Sequence, residues 1–355
     1  MRRSKGDAVF VVFTPYQVVG AVNFVQGAQD GKEYDIYVHD FFTGAQAVAE
    51  ALKKTGLFCS VVFISRYNEY TGIVQKLITL IRILAPIATL RRHTDKGFVP
   101  KKYDVIFMTG YIPMVDSVKL ANPHADIYEY EDGMASYYYD DMQSVVRTGL
   151  FQVINKWLLG GRLTFRSKRI YLNHPQLYKG GETTPAYPIP RPKNNDALKT
   201  VFSYQPNPLY ETYQTVYLTQ PLQETPIGAH ALTVEKDILA ILGKDIALRI
   251  HPRQSVEDFA GYTCDTYNNL WELECAEQIT DNHILIGACS TAQFTPKMLC
   301  DKEPIVIFTF PMYGEYFSAF TRMVDMLRSM YTHPERVILV RSAKELQAAM
   351  QELLK

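Results

Sequence analysis

The feature that most constrains this chain is a regular alternation of short apolar runs with segments of helical periodicity, and it occurs twice along 355 residues. In the first half the runs that predict strands are Ala8–Phe13, Tyr34–His39, Cys59–Ile64, Tyr103–Met108 and Ala125–Glu129. Helix-period segments such as Gln17–Gln29 and Ala45–Lys54 separate them. Strands separated by helices join through right-handed crossovers, so the pattern predicts a mostly parallel α/β sheet.

A second α/β pattern begins after Pro185–Asn195, a stretch with four Pro, two Asn and no hydrophobic periodicity. The later strand-like runs are Thr215–Leu218, Ile246–Ile250, His283–Ile286, Pro304–Phe308 and Val337–Val340, and the helix-like segments are Val234–Leu242, Thr291–Cys300, Phe317–Met330 and Ala343–Leu354. We therefore predict a first domain of residues 1–190, a linker of 191–198 and a second domain of 199–355, whose last helix is free to pack back on the first. Two doubly wound domains are expected to leave a ligand-binding cleft at the carboxyl ends of their strands.

Composition excludes several classes of protein. Lys plus Arg and Asp plus Glu balance at 37 each, so the overall charge gives no reason to expect nucleic-acid binding. The five Cys are odd in number and have neither zinc-site spacing nor a CxxC pair, which predicts reduced thiols in a reducing compartment. The apolar run at the start is too short for a signal peptide, and no uninterrupted run reaches membrane-spanning length. These features together predict a cytoplasmic protein.

An acidic turn, Glu129-Tyr130-Glu131-Asp132-Gly133, follows the fifth strand-like run. Its carboxylates should face the ligand-binding end of the sheet, and clustered carboxylates repel one another, which raises the pKa of one of them toward neutrality. A general base is the functional interpretation, and an ordinary acidic turn is the alternative.

Three further groups of residues follow strands of the second half. Arg249-Ile250-His251-Pro252-Arg253 places a cation and an imidazole on the same side of one strand, and Pro252 ends that strand. Gly287-Ala288-Cys289-Ser290-Thr291 precedes a helix, where Ser290 or Thr291 can cap the helix or contact an anion. Glu272, beside Trp271, can accept hydrogen bonds from a ribose. A loop histidine, helix capping without a ligand and a surface Glu are the respective alternatives.

Several common site motifs are missing from the sequence. It contains no Walker motif, no GxGxxG after a strand, no zinc or EF-hand spacing and no Asp-any-Asp pair. We therefore expect neither a metal nor another cofactor.

Taken in chain order, these pieces resemble bacterial sialyltransferases of glycosyltransferase family 52, which build lipooligosaccharide and capsule, and related sialyl- and polysialyltransferases. The matching motifs are Thr14-Pro15-Tyr16-Gln17, Glu131-Asp132-Gly133, Tyr217-Leu218-Thr219-Gln220-Pro221, Arg249-Ile250-His251-Pro252, Trp271-Glu272 and Ser290-Thr291. Two departures are Ser-Thr where some of these families have paired Ser, and Arg249 where some have Lys.

The resemblance implies the GT-B fold and an inverting, metal-independent transfer of N-acetylneuraminic acid from its CMP ester to a sugar hydroxyl, with terminal galactose as the expected acceptor. It implies Asp132 as general base, with Glu131 as second candidate, and His251 as general acid. The implied donor-binding residues are Arg249, Pro252, Glu272, Ser290, Thr291, Gly287 and Gln220, and the implied acceptor-binding residues are Gln17 and Gly133.

The sequence leaves other functions open. They are a GT-B transferase for CMP-Kdo or a UDP-sugar, a polysialyltransferase, and a sugar- or nucleotide-binding protein without catalysis. Basic residues at 76–102 and 147–169 flank apolar ones, so peripheral docking on an anionic membrane is a further hypothesis, with a basic helix face as its alternative. A homodimer also stays open.

Overall fold

The computed structural model describes residues 4–65, 81, 84–96, 98–109, 113–137, 167–180 and 184–353. The chain divides into two compact units, Met1–Ser203 and Tyr204–Lys355. Each is built on its own sheet, and every pairing between the described strands is parallel. The predicted class, two Rossmann-like α/β domains, is confirmed.

The first unit contains a sheet of seven strands in the order β3-β2-β1-β4-β5-β6-β7. They are β1 (Lys5–Val12), β2 (Tyr34–His39), β3 (Ser60–Ile64), β4 (Lys102–Met108), β5 (Asp126–Tyr130), β6 (Ser167–Leu172) and β7 (Ala186–Pro188). Its α-helices in the described residues are α1 (Pro15–Gly27), α2 (Ala45–Thr55), α3 (Pro86–Arg92), α4 (Pro113–Ala121) and α5 (Asp196–Val201). The order reverses between β1 and β4, which makes this pair the switch point where doubly wound sheets bind ligands.

The central strand β1 has the continuous apolar sequence expected of a strand that is covered on both faces. Ala8–Val12 are all buried, and the ring of Phe10 stacks on Phe107 of β4 at 4.3 Å between centroids. The next helix begins at once because Thr14 caps it, its hydroxyl accepting from the Gln17 N–H at 3.2 Å, and because Pro15 suits the first turn. Residues after β1 are thereby fixed at the carboxyl edge of the sheet.

The second unit contains a sheet of six strands in the order β10-β9-β8-β11-β12-β13. They are β8 (Thr215–Leu218), β9 (Ala247–Arg249), β10 (Thr263–Cys264), β11 (Ile284–Gly287), β12 (Ile305–Phe308) and β13 (Val337–Leu339). Its α-helices in the described residues are α6 (Leu209–Thr212), α7 (Gly228–Leu242), α8 (Trp271–Glu277), α9 (Thr295–Cys300), α10 (Thr321–Met330) and α11 (Ala343–Leu353). Here the order reverses between β8 and β11.

The junction between the units has more regular structure than the sequence indicates. Strand β7 lies within the proline-rich stretch, and α5 begins inside the predicted linker, although the compact units separate only after Ser203. The last helix, α11, buries Leu346 and Met350 in the core of the second unit, beside Val234 and Ile238 of α7.

The segment predicted as one helix over Thr291–Cys300 is divided. A single 3₁₀ turn, Thr291–Gln293, precedes α9, and Pro296 stands in the first turn of that helix. Because proline lacks an N–H and fixes its own φ, it starts a new helix here.

Among the described residues no helix is long and apolar enough to cross a membrane. Part of the two basic regions considered for membrane docking, including Lys76, Arg82, Arg147, Lys156 and Arg162, lies outside the described residues.

Candidate functional site

The acidic turn lies at the carboxyl end of β5, two strands from β1 in the first sheet. Gly133 has φ = 79°, a left-handed conformation that favours glycine. Strand β5 therefore turns sharply after Asp132 into the 3₁₀ turn Met134–Tyr137, and the Asp132 N–H is bound to the Ser136 hydroxyl at 2.8 Å.

Glu131 is a buried anchor. Its carboxylate accepts hydrogen bonds from the hydroxyls of Tyr16 at 2.7 Å and Tyr137 at 2.5 Å, and from the Asn173 N–H at 2.8 Å. It is 1 % exposed. These three donors bring α1, the turn after β5 and the residue after β6 onto one side chain.

Asp132 is less enclosed and is held by one buried amide. Gln17 donates from Nε2 to Asp132 Oδ2 at 3.0 Å, while Gln17 Oε1 accepts from the Phe13 N–H at 2.8 Å. The resemblance implies that Gln17 contacts the acceptor, but this side chain is fully buried and each polar end of its amide has a protein partner.

The environment of Asp132 raises the proton affinity of its carboxylate. Burial raises the pKa of its carboxyl, and hydrogen bonding from Gln17 opposes that rise. A carboxylate with a raised pKa accepts a proton more readily, which is the property a general base needs.

His251 follows β9 at the carboxyl edge of the second sheet. Its backbone N–H donates to the Thr219 hydroxyl at 2.9 Å, and its ring Nδ1 accepts from the Arg253 backbone N–H at 3.2 Å. Nδ1 thus serves as an acceptor, so the ring proton of the neutral imidazole is on Nε2. Burial lowers the pKa of His251, with a smaller contribution from Arg253 in the same direction.

The loops after β8 and β11, the two strands at the switch point, are tied together. Gln220 Oε1 accepts from the Cys289 N–H at 2.8 Å. Gly287, the last residue of β11, allows Gln293 and Leu218 to lie close, because a Cβ there would be 3.0 Å from Gln293 Oε1 and 3.2 Å from the Leu218 carbonyl oxygen. Gly287 is buried and shapes the loop.

Ser290 caps the 3₁₀ turn, as expected. Its hydroxyl accepts from the Ala292 N–H at 3.2 Å, and its own N–H is bound to Gln293 Oε1 at 3.3 Å. As an acceptor in the cap, this hydroxyl keeps its own proton for donation. Thr291 is exposed beside it.

Glu272 lies in the first turn of α8, next to this loop. Trp271 Nε1 donates to the Ala292 carbonyl at 2.8 Å and so joins the start of α8 to the turn that follows Ser290. Glu272 is partly buried, and burial raises the pKa of its carboxyl. The structure thus collects His251, Gln220, Ser290 and Glu272 along one edge of the second sheet.

Arg249 lies at the end of β9, but its guanidinium turns into the protein. It donates from Nη1 to Asp265 Oδ2 at 2.5 Å and from Nη2 to the Asn269 carbonyl. Pro252 is exposed in the turn that follows His251.

Sequence reasoning missed the residues that hold the site. Tyr16, Tyr137 and Thr219 bind the predicted residues directly, and Asp265 and Glu274 form a buried acidic pair around Arg249. Tyr16 and Thr219 do stand within the motifs, whereas Asp265 and Glu274 acquire their partners only through the tertiary fold.

In the part of the chain that the structure describes, no three His, Cys, Asp or Glu residues are grouped so that they could hold a metal ion. The residues that do converge on the second sheet offer hydrogen-bond donors to an anion.

No protein-family model matches this chain, and no curated protein matches it. Solved structures match along nearly its whole length. The calicheamicin glycosyltransferase CalG4 is similar with a TM-score of 0.54 and 10 % identity, over 99 % of this chain and 90 % of that one. Arabidopsis thaliana UGT89C1, solved with UDP-L-rhamnose, has a TM-score of 0.53 and 11 % identity over 100 % and 91 % of the two chains.

A third similar structure is the UDP-GlcNAc 2-epimerase of Methanocaldococcus jannaschii, with a TM-score of 0.50 and 15 % identity over 99 % and 93 % of the two chains. At these identities the likeness concerns the fold, which is the GT-B fold of two Rossmann-like domains.

Proposed function

We propose that the chain is an inverting, metal-independent glycosyltransferase that binds a nucleotide-sugar donor on its second unit and deprotonates an acceptor hydroxyl with Asp132. The observation that carries the proposal is the hydrogen-bonded edge of the second sheet, where an imidazole with its proton on Nε2, a serine hydroxyl and a carboxylate converge. These groups can donate to a phosphate and accept from a ribose hydroxyl.

The donor side of the reaction stabilises the departing nucleotide. As the bond from the sugar carbon to the phosphate oxygen breaks, negative charge grows on the phosphate. The Nε2–H of His251 and the hydroxyls of Ser290 and Thr291 donate hydrogen bonds to it, and the bound phosphate favours the protonated imidazole. Glu272 accepts from the ribose hydroxyls.

On the acceptor side, Asp132 takes the hydroxyl proton while the acceptor oxygen forms the new bond to the sugar carbon. The proton goes to Asp132, and the electrons of the broken bond between the sugar carbon and the phosphate oxygen go to the nucleotide phosphate. Attack on the face opposite the leaving group inverts the configuration. Glu131, which accepts three hydrogen bonds, holds this turn in place.

For the donor we propose CMP-N-acetylneuraminic acid, because the order of the short motifs supports a sialyltransferase. A UDP-sugar is the second candidate. It is supported by the similar structures, whose names refer to UDP-L-rhamnose and UDP-GlcNAc. The glycan acceptor is proposed to be a terminal galactose.

Transfer assays with a panel of donors separate these candidates. CMP-N-acetylneuraminic acid, CMP-Kdo and several UDP-sugars are each incubated with galactose-terminated acceptors, with and without EDTA. We expect transfer from the CMP-sialic acid donor and no effect of EDTA. Transfer from a UDP-sugar alone would replace the donor proposal, and nucleotide binding without transfer or donor hydrolysis would refute the enzyme proposal.

Substitution of the two proposed reacting groups tests the mechanism. Asp132→Ala and His251→Ala should each lower kcat by about 10²–10⁴-fold, the usual contribution of a general acid or base. Asp126→Asn, at the opposite end of β5, and His230→Ala, exposed on α7, are matched controls. Circular dichroism and thermal unfolding check the fold, and wild-type turnover by folded Asp132→Ala would exclude Asp132 as base.

A further inference from the structure

We infer that Arg249 is a positioning residue that holds the segment Asp265–Trp271, and through it Glu272, rather than a direct ligand of the donor. The inference rests on the proposed function, because it assigns Glu272 to the nucleotide. Its support lies entirely in contacts within the second unit.

The guanidinium of Arg249 spans the segment. It donates to the carboxylate of Asp265 at one end and to the carbonyl of Asn269 near the other, and its central carbon lies 5.9 Å from the ring centre of Trp271. The planar fork of arginine suits two acceptors held at fixed positions.

Behind this fork lies a buried polar network. Asp265 Oδ2 also accepts from the Tyr210 hydroxyl at 2.6 Å, and Asp265 Oδ1 accepts from Asn207 Nδ2 at 3.1 Å. Glu274 Oε1 accepts from Asn207 Nδ2 at 3.2 Å and from Asn269 Nδ2 at 2.7 Å. Two carboxylates therefore share a buried site in which Arg249 supplies a positive charge.

The charges explain why the buried carboxylates of Asp265 and Glu274 depend on Arg249. Burial alone would raise the pKa of Asp265, but Arg249 and the Tyr210 hydroxyl outweigh it and hold the pKa below its ordinary value. Burial raises the pKa of Glu274 despite the amide donors. Removing the guanidinium would leave buried carboxylates without their cation, which is strongly unfavourable, so the segment would have to rearrange.

Trp271 connects this network to Glu272 in the proposed nucleotide site. Its indole donates to the Ala292 carbonyl, and Glu272 is the next residue. If the segment before Trp271 loosens, the indole loses its fixed direction and Glu272 is no longer held beside the turn after Ser290. Arg249 and Asp265 thus act on the nucleotide without touching it.

The protein offers a direct readout, because Trp157 and Trp271 are its two tryptophans. In a Trp157→Phe background, the emission of Trp271 is measured without ligand for Arg249→Lys, Asp265→Asn and Glu274→Gln. Hydrogen exchange is followed over residues 263–272. Arg328→Lys, an arginine that donates to the Val337 carbonyl elsewhere in the unit, is the matched control.

We expect a red-shifted Trp271 emission and faster exchange of residues 263–272 in Arg249→Lys and Asp265→Asn, before any ligand is added. The Kd for CMP and the donor KM should rise about tenfold or more, because Glu272 is no longer held at the nucleotide, while kcat changes less. The variant that combines Arg249→Lys with Asp265→Asn should be little worse than either single variant, because the two substitutions break the same interaction.

Two results would overturn the inference. One is weaker CMP binding in folded Arg249→Lys with Trp271 emission and exchange unchanged, which would make Arg249 a direct ligand. The other is Trp271 emission and hydrogen exchange of residues 263–272 that stay as in wild type in both Arg249→Lys and Asp265→Asn. Should Arg249→Lys fail to fold, Asp265→Asn and Glu274→Gln carry the test. The emission and exchange readouts need no substrate, so they remain decisive even if the chain transfers no sugar.

Discussion

The two acids of the turn after β5 have different surroundings, and one amide accounts for much of the difference. Because the Phe13 N–H requires an acceptor, Gln17 must place Oε1 toward it and Nε2 toward Asp132. That orientation is fixed by the backbone, so the carboxylate always has a donor on Oδ2. Glu131 is instead surrounded by three donors, which leaves Asp132 as the acid suited to accept a proton.

Replacing Gln17 by Leu should move the acid limb of the kcat/KM profile to higher pH. Burial already raises the pKa of Asp132, and the Gln17 hydrogen bond opposes it. Without that bond the pKa of Asp132 rises further, and the proposed base is active only above its pKa, so activity at low pH is lost first. The profile is measured from pH 5 to 9, with Gln26→Leu on the same helix as control; an acid limb that stays in place would contradict the role given to Gln17.

At the scale of elements, the apolar runs predict all the central strands, which are covered on both faces, and also the edge strands β3 and β13. The unpredicted strands lie toward the edges: β6 contains Lys168 and Arg169, β7 contains a proline, and β10 has two residues. Such strands carry no continuous apolar run, and proline is tolerated only where a strand lacks a neighbour on one side. Their pairing is decided by the sheet rather than by their own sequence.

Prediction of the candidate site from sequence is limited in the same way, because contacts between distant residues are not visible in local patterns. The sequence predicts candidate residues at the ends of central strands, since parallel strands bring their carboxyl ends to one edge. The Gln17–Asp132 contact joins residues 115 apart in sequence, and the Asn207–Glu274 contact joins residues 67 apart. Nothing in local periodicity encodes such partners, so the sequence suggests the proposed reacting groups more readily than the residues that contact them.

The packing of α7 on β8 includes one carboxyl that should make stability depend on pH. Glu235 of α7 is 9 % exposed and accepts from the Tyr217 hydroxyl at 3.3 Å. Burial raises its pKa from 4.5 to about 7. Between these values the folded state keeps a proton that the unfolded state has lost, so the free energy of unfolding falls as pH rises.

Glu235→Gln should remove this dependence. The free energy of unfolding that the variant gains over wild type should be larger at pH 8 than at pH 5 by up to about 3 kcal/mol, at about 1.4 kcal/mol per pKa unit. The amide keeps an oxygen for the Tyr217 hydroxyl and has no charge to bury. Guanidinium unfolding of both proteins at the two pH values measures the difference, with the exposed Glu211→Gln as control. Equal pH dependence in Glu235→Gln and wild type would show that the carboxyl is not the source.

At the scale of the whole molecule, the two units have separate hydrophobic cores and different proposed tasks. One core surrounds Val9, Val11 and Ile106 of the first sheet, and the other surrounds Ile286 and Ile307 of the second. The residues proposed to bind the nucleotide all belong to the second unit, and the proposed base belongs to the first. With balanced charge overall, attraction of an anionic donor must come from local donors rather than from a general field.

A nucleotide without its sugar should therefore protect the second unit selectively. At about 100 times its Kd a ligand adds about 2.7 kcal/mol to the stability of the state that binds it. With CMP, hydrogen exchange should slow in the peptides that contain Gln220, His251, Glu272 and Ser290, while peptides of β1 and β5 keep their rates. UMP and inorganic phosphate at equal concentration are the controls, which separate recognition of the base from binding of the phosphate. Protection confined to the first unit would contradict the assignment of the donor to the second sheet, and equal protection by phosphate alone would exclude recognition of the nucleoside there.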